Sequence, residues 1–149
     1  MAVPQLQVVY ASTSGHTEYV VGLLADALKD GVTVTRVERA TPETLLAGDA
    51  LLLASGTWNT GGVEGQLNPY MHFFLNGAAK DVELKGKKVI VVGLGDERYR
   101  YTARAGEKLA EFAESHGGTL LQRFTLVNEP YGQEATVAAW ASDISRLLA

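Results

Sequence analysis

Along the chain, short apolar and β-branched runs alternate with stretches in which apolar positions recur at helical spacing. Five runs predict strands: Leu6 to Tyr10, Val32 to Val37, Ala50 to Ala54, Val89 to Gly93 and Thr119 to Val127. After the first, Val20, Leu24, Ala27 and Leu28 predict one face of a helix that Asp30-Gly31 closes. Thr41-Pro42-Glu43 offers an N-cap and a proline at the first helical position, opening a short helix through Leu45 and Leu46. Leu67, Met71, Phe74 and Leu75 predict a third helix. Ala105, Leu109, Phe112 and Ala113 predict a fourth, ending at His116-Gly117-Gly118. Val137, Trp140, Ala141, Ile144 and Leu148 form the apolar stripe of a fifth, with Ser142, Asp143 and Arg146 opposite.

Strict βα alternation predicts an α/β fold, a three-layer α/β/α arrangement around a doubly wound, five-stranded parallel sheet. The first, third and fourth strands are apolar on both faces, as central strands covered by helices must be. Right-handed crossovers and the strand order 2-1-3-4-5 place the switch point between strands one and three, so ligands are expected at the carboxyl ends of strands one, three and four. The 149 residues are expected to form one domain, 1–149, with no room for a separate substrate domain.

Composition narrows the function classes. Thirteen basic against seventeen acidic side chains give a net charge of -4, which argues against binding to nucleic-acid backbones. Cysteine is absent, which removes disulfides, thiolate zinc and iron–sulfur sites and cysteine nucleophiles. Met1-Ala2-Val3-Pro4-Gln5 lacks the basic start of a secretory signal, and no apolar run approaches the roughly 18 residues of a membrane span. The expectation is a cytoplasmic monomer without membrane or nucleic-acid partners.

The chemistry lies at the strand ends. Strand one runs into Ser12-Thr13-Ser14-Gly15-His16-Thr17 and directly into a helix. Four hydroxyls, a glycine and an imidazole at a helix N-terminus favour an anion such as a phosphate. Lacking a lysine and a second glycine, the loop is neither a G-x-x-x-x-G-K-[ST] nor a G-x-G-x-x-G turn, so neutral donors would hold the anion. Capping by Thr17 or Ser14 would explain one hydroxyl, not four. Strand three ends in the polar stretch Ser55-Gly56-Thr57-Trp58-Asn59-Thr60-Gly61-Gly62, and strand four in Gly93-Leu94-Gly95-Asp96-Glu97-Arg98-Tyr99-Arg100-Tyr101. Trp58 and Tyr99 sit on loops, where they suit the walls of a flat ring; Trp140 sits on a helical stripe and reads as core.

These three segments closely resemble those of the flavodoxins. Ser12 to Thr17 is similar to the family's [ST]-x-T-G-x-T phosphate loop, Thr57-Trp58 to its second loop, and Gly93-Leu94-Gly95-Asp96-Glu97-Arg98-Tyr99 to its G-x-G-D-x-x-Y loop. The resemblance spans the chain, and the uninterrupted last strand matches the short-chain branch. It implies a flavodoxin-like fold and a carrier of noncovalent FMN, moving single electrons at low potential between transiently docked redox proteins. The donor would be of flavodoxin or ferredoxin reductase type, and the protein itself would make no product. It also implies that Ser12, Thr13, Ser14, Gly15, His16 and Thr17 hold the phosphate. Thr57, Trp58, Asn59 and Thr60 would meet the inner side of the ring, with Trp58 on its face. Leu94, Gly95 and Asp96 would meet its pyrimidine edge with Tyr101 nearby, and Tyr99 would stack outside. Asn59 falls where the family turns a peptide toward N5 of the ring, and Asn tolerates positive φ. A carbonyl offered there favours the neutral one-electron-reduced ring, because the oxidised ring has no hydrogen at N5.

The chain departs from the family pattern in charge. After Trp58 the first acid is Glu64, and Asp96 and Glu97 face Arg98, Arg100 and Arg104, so a nearly balanced field and a less negative second potential are expected. His16 stands where Asn is common, so phosphate affinity would depend on the imidazole charge, and Gly56 lacks the hydroxyl often found there. His72 and His116 read as ordinary helix-face residues. The alternatives on the same fold are an FMN-dependent quinone or NAD(P)H reductase, which Tyr99 would obstruct, and an activator of ribonucleotide reductase, faintly suggested by Gly61-Gly62-Val63-Glu64. A phosphoacceptor receiver lacks its chemistry here, with Ser12, Ser55 and Asn128 where that module needs acids and a lysine.

Overall fold

The computed structural model describes residues 3–60, 63–96 and 104–149. The described residues form six strands: β1 (Leu6–Tyr10), β2 (Val32–Arg36), β3 (Ala50–Thr60), β4 (Val63–Leu67), β5 (Lys88–Gly95) and β6 (Thr119–Val127). The helices are α1 (His16–Leu28), α2 (Pro42–Leu46), α3 (Pro69–Asn76), α4 (Ala105–Ser115) and α5 (Glu134–Leu148), with a 3-10 turn at Val37–Arg39. The parallel sheet runs β2-β1-β3-β5-β6, which is the expected order with one strand interposed in the numbering.

That extra strand is the main departure from the sequence reading. β3 does not end at Ala54. It continues to Thr60 and pairs antiparallel with β4, so the stretch read as a loop is a hairpin standing beyond the sheet. Polar residues and a glycine hid it, because a projecting ribbon has no two-sided apolar burial to give a strand pattern. Leu67 accordingly closes β4 instead of opening a helix. β5 likewise runs two residues beyond Gly93, pairing as far as Gly95↔Val127.

The three central strands carry the core. Val9, Leu51, Leu53, Val89 and Val91 face α3 and α4, while Val8, Leu52, Ile90 and Val92 face α1 and α5. On α1 the buried stripe is Thr17, Val20, Val21 and Leu24; Ala27, expected on it, is exposed. Proline at the first position and the Thr41 amide donating to Thr44 Oγ1 at 2.9 Å open α2 as expected. Trp140 lies in the core on Phe124, ring centroids 5.0 Å apart. His116 is more than a helix-face residue: its ring nitrogens lie 2.8 Å from the carbonyls of Phe112 and Lys80, closing α4 against the preceding turn.

Candidate functional site

At the carboxyl ends of β1, β3 and β5 the chain leaves a cleft of about 500 Å³. Its first wall is the loop between β1 and α1. Gly15 takes φ 94°, a left-handed conformation that a side chain would strain, and this turn sends the chain into α1. The cap is Ser12, not Thr17 or Ser14: its buried Oγ accepts the amides of Gly15 and Glu18, both at 3.2 Å. Among the described residues the amides of Thr13, Ser14, His16 and Thr17 have no protein acceptor. Four unpaired N–H groups around one turn form an anion cradle.

Ser12, Thr13, Ser14, His16 and Thr17 all line the cleft. The Thr13 hydroxyl accepts Asn68 Nδ2 at 2.9 Å, leaving its own proton for a further acceptor. Asn68, fully buried at the start of α3, also donates its backbone amide to Ser55 Oγ at 3.0 Å, and its Oδ1 caps α3 through the Tyr70 amide. The His16 ring meets Tyr131 edge-on, 5.6 Å between centroids, and Tyr131 packs on Tyr19.

The second wall is the β3–β4 hairpin. Thr57, Trp58 and Asn59 line the cleft, joined by Gly56, Glu64 and Gly65. A Cβ on Gly56 would stand 3.2 Å from Trp58 Nε1 and 3.8 Å from Thr17 Oγ1, so the indole lies over the glycine and toward the anion loop. Thr57 Oγ1 donates inward, to the Leu94 carbonyl at 2.8 Å. Asn59, a residue that tolerates positive φ, does not adopt it here. Pairing with β4 continues past it, and a bulge on β4 sets Glu64 and Gly65, the latter at φ 74°, opposite Asn59 between the pairs Trp58↔Gln66 and Thr60↔Val63. Thr60 is turned away from the cleft, its hydroxyl donating to the Leu67 carbonyl at 2.6 Å.

Leu94, Gly95 and Asp96 form the third wall, and Asn128 and Glu129 after β6 complete it. The Asn128 amide donates to the Gly95 carbonyl at 2.7 Å, and its φ of 71° turns the chain there. Tyr99 and Tyr101, with Gly61, Gly62, Glu97, Arg98 and Arg100, lie outside the described residues. Three carboxylates line the cleft, Glu64, Asp96 and Glu129, while Arg104 pairs with Glu107 at 3.7 Å. Glu97, Arg98 and Arg100, on which the expected balance of charge depends, lie outside the described residues. Beneath the loop, burial first and then Glu18 push the Tyr10 hydroxyl up from its ordinary pKa.

Sequence reasoning missed Asn68, Ser55 and Glu129. Asn68 and Ser55 are buried behind the cleft and act on it through the Thr13 hydroxyl, while Glu129 reaches it from beyond β6. Asn68-Pro69, an N-cap before a proline, was the one available signal.

A doubly wound α/β sheet with an anion cradle and an aromatic wall at its switch point is the architecture of the flavodoxin-like class. The flavodoxin family model matches residues 8–140. A flavodoxin of Maridesulfovibrio salexigens is 26% identical over 143 residues, 93% of this chain and 94% of that one. Oxidised flavodoxin 1 of Bacillus cereus superposes with a TM-score of 0.84 at 22% identity, over 97% of this chain and 99% of its own. The flavodoxin of Fusobacterium nucleatum, solved with flavin mononucleotide bound, gives 0.80 at 17% identity, over 98% and 99%. The chain belongs to the flavodoxin family.

Among the described residues no helix is long and apolar enough to cross a membrane, and no His, Asp and Glu cluster could hold a metal ion.

Proposed function

We propose that the cleft binds FMN without a covalent bond and that the protein carries electrons singly between redox proteins. The observation that carries this reading is one cleft that holds both the unpaired amides of the Ser12–Thr17 turn and the Trp58 indole. Its volume of about 500 Å³ lies in the range of small-molecule sites, and its donors are neutral and convergent, which suits a phosphate on a flat ring. When bound, FMN supplies a ring that accepts and releases electrons one at a time.

The chain's own residues do the rest. The amides of Thr13, Ser14, His16 and Thr17 and the hydroxyls of Thr13 and Ser14 would hold the phosphate, with Ser12 and Gly15 shaping the turn. Trp58 would exclude water from the inner ring face. The Asn59 peptide, opposite the β4 bulge, would turn its carbonyl toward the ring. Leu94, Gly95 and Asp96 would meet the polar edge, with Tyr101 near them, and Tyr99 would cover the outer face. Thr60 would act through the hairpin it ties. Glu64, Asp96 and Glu129 disfavour accumulation of negative charge nearby and so lower the second potential.

The partners proposed are a reductase of the flavodoxin or ferredoxin type and an acceptor, each docking briefly with a cytoplasmic monomer whose 149 residues act as one FMN-binding unit. Anaerobic titration of the FMN-loaded protein with dithionite tests the reading. Two resolved one-electron steps are expected. A single two-electron bleaching, or bleaching by NADPH alone, would favour a reductase, and failure to bind FMN would overturn the proposal.

A further inference from the structure

Arg36, the last residue of β2, reaches under the anion loop. Its Nη2 donates to the Ser12 carbonyl at 3.0 Å, and Nη1 lies 3.3 Å from Glu18 and 3.4 Å from the Tyr10 hydroxyl. Nε pairs with Glu38 at 3.4 Å, and the guanidinium carbon sits 5.4 Å from the centre of the Tyr10 ring. Each of the three guanidinium nitrogens thus has a partner, although Arg36 is not part of the cleft lining. The Ser12 residue is held at both oxygens, Oγ by the Gly15 and Glu18 amides and the carbonyl by Arg36.

We infer that Arg36 is a positioning residue for the anion loop, fixing the Ser12–Thr13 peptide so that the Thr13 amide faces the cleft. In a trans peptide the carbonyl and the amide hydrogen point to opposite sides, so a donor on the Ser12 carbonyl sets the direction of Thr13 N–H. That amide has no protein acceptor among the described residues, and Thr13 lines the cleft. Released from Arg36, the peptide can rotate and present a carbonyl where an anion needs a donor. The effect is one of geometry more than of charge: Glu18 and Glu38 together more than offset the single guanidinium charge. Holding the Ser12 carbonyl and two carboxylates at once needs the planar fork of arginine, which a lysine ammonium lacks.

The inference rests on the phosphate-in-loop reading above, and the test separates the two. Dissociation constants for FMN and for riboflavin, which lacks the phosphate, are measured by flavin fluorescence for the natural protein, Arg36→Met and Arg36→Lys. The natural protein binding FMN no more tightly than riboflavin would overturn the loop reading itself. If that preference is present, Arg36→Met is expected to weaken FMN by roughly tenfold, the order of one misdirected hydrogen bond to a charged group, with riboflavin changed less than about twofold. Arg36→Lys is expected to fall between the two, and it carries the test if Arg36→Met does not fold. Equal loss for both flavins would mean a general structural role, and no loss for either would mean no role; each result overturns the inference.

Discussion

The Thr57 hydroxyl donates to the Leu94 carbonyl at 2.8 Å and accepts the Ala105 amide at 3.0 Å. One side chain therefore joins β3, β5 and the start of α4 just below the cleft. Thr57→Val keeps the shape and removes both bonds. It is expected to cost about 1–2 kcal/mol in urea unfolding and to weaken FMN, because the tips of β3 and β5 lose their common anchor. An unchanged unfolding midpoint would show that the tie contributes nothing.

Gly56 lets the Trp58 indole lie back over the strand. Added methyl at this position stands 3.2 Å from Nε1, so the ring must move by a few tenths of an ångström. Gly56→Ala should shift the Trp58 emission and weaken FMN by roughly three- to tenfold, with Gly56→Val worse. Since Trp140 also emits, the comparison belongs in a Trp140→Phe background. Emission and affinity both unaltered would mean that the indole is not seated on Gly56.

Glu64, on β4 and exposed, lines the cleft with Asp96 and Glu129. Replacing it by Gln should raise the second midpoint potential of the FMN-loaded protein by a few tens of millivolts, less than the roughly 59 mV of a tenfold change in relative affinity. The shift should shrink as salt is added, since an exposed charge is screened. The sequence reading placed that second potential above the common family range, and the same titration measures it directly; an extremely low value in the natural protein would count against that reading.

Stability should respond to acid through Glu134. Its own backbone amide, then the Tyr19 hydroxyl at 2.8 Å and the Gly132 amide, hold its carboxyl below the ordinary carboxylate range. A depressed folded-state pKa contributes stability that is complete above the ordinary value and is lost as pH falls through the lower one. Tyr19 is shifted the other way: the hydrogen bond to Glu134 first, then burial, raise it. Its contribution is therefore present below the ordinary tyrosine value and lost as pH rises through the raised one. Unfolding midpoints of Glu134→Gln and the natural chain, followed from neutral to about pH 3, should converge on the acid side. Parallel curves would refute the assignment.

Most of the sheet was legible because β1, β3 and β5 are buried on both faces and read as unbroken apolar runs. The anion loop was legible because four hydroxyls around a glycine have few other uses at a helix start. The hairpin was not, since Thr57 to Thr60 lie beyond the two-sided burial of the sheet and pair with β4, after the next turn. Ser12 illustrates a subtler limit. Its place in the loop was plain, but its hydroxyl oxygen accepts the Gly15 and Glu18 amides, and only three-dimensional packing decides which hydroxyl turns inward.

Asn68 binds three separate segments from a fully buried position: the Thr13 hydroxyl, the Ser55 hydroxyl and the first turn of α3. The bond to Ser55 uses the backbone amide and survives replacement of the side chain, but the Thr13 hydroxyl and the Tyr70 amide depend on the asparagine carboxamide, so drift at 68 must be met at position 13. Among related sequences, positions 13 and 68 should therefore change together, and lineages that have replaced the asparagine should show a different residue in the phosphate loop, while Ser55 can persist on the backbone amide alone.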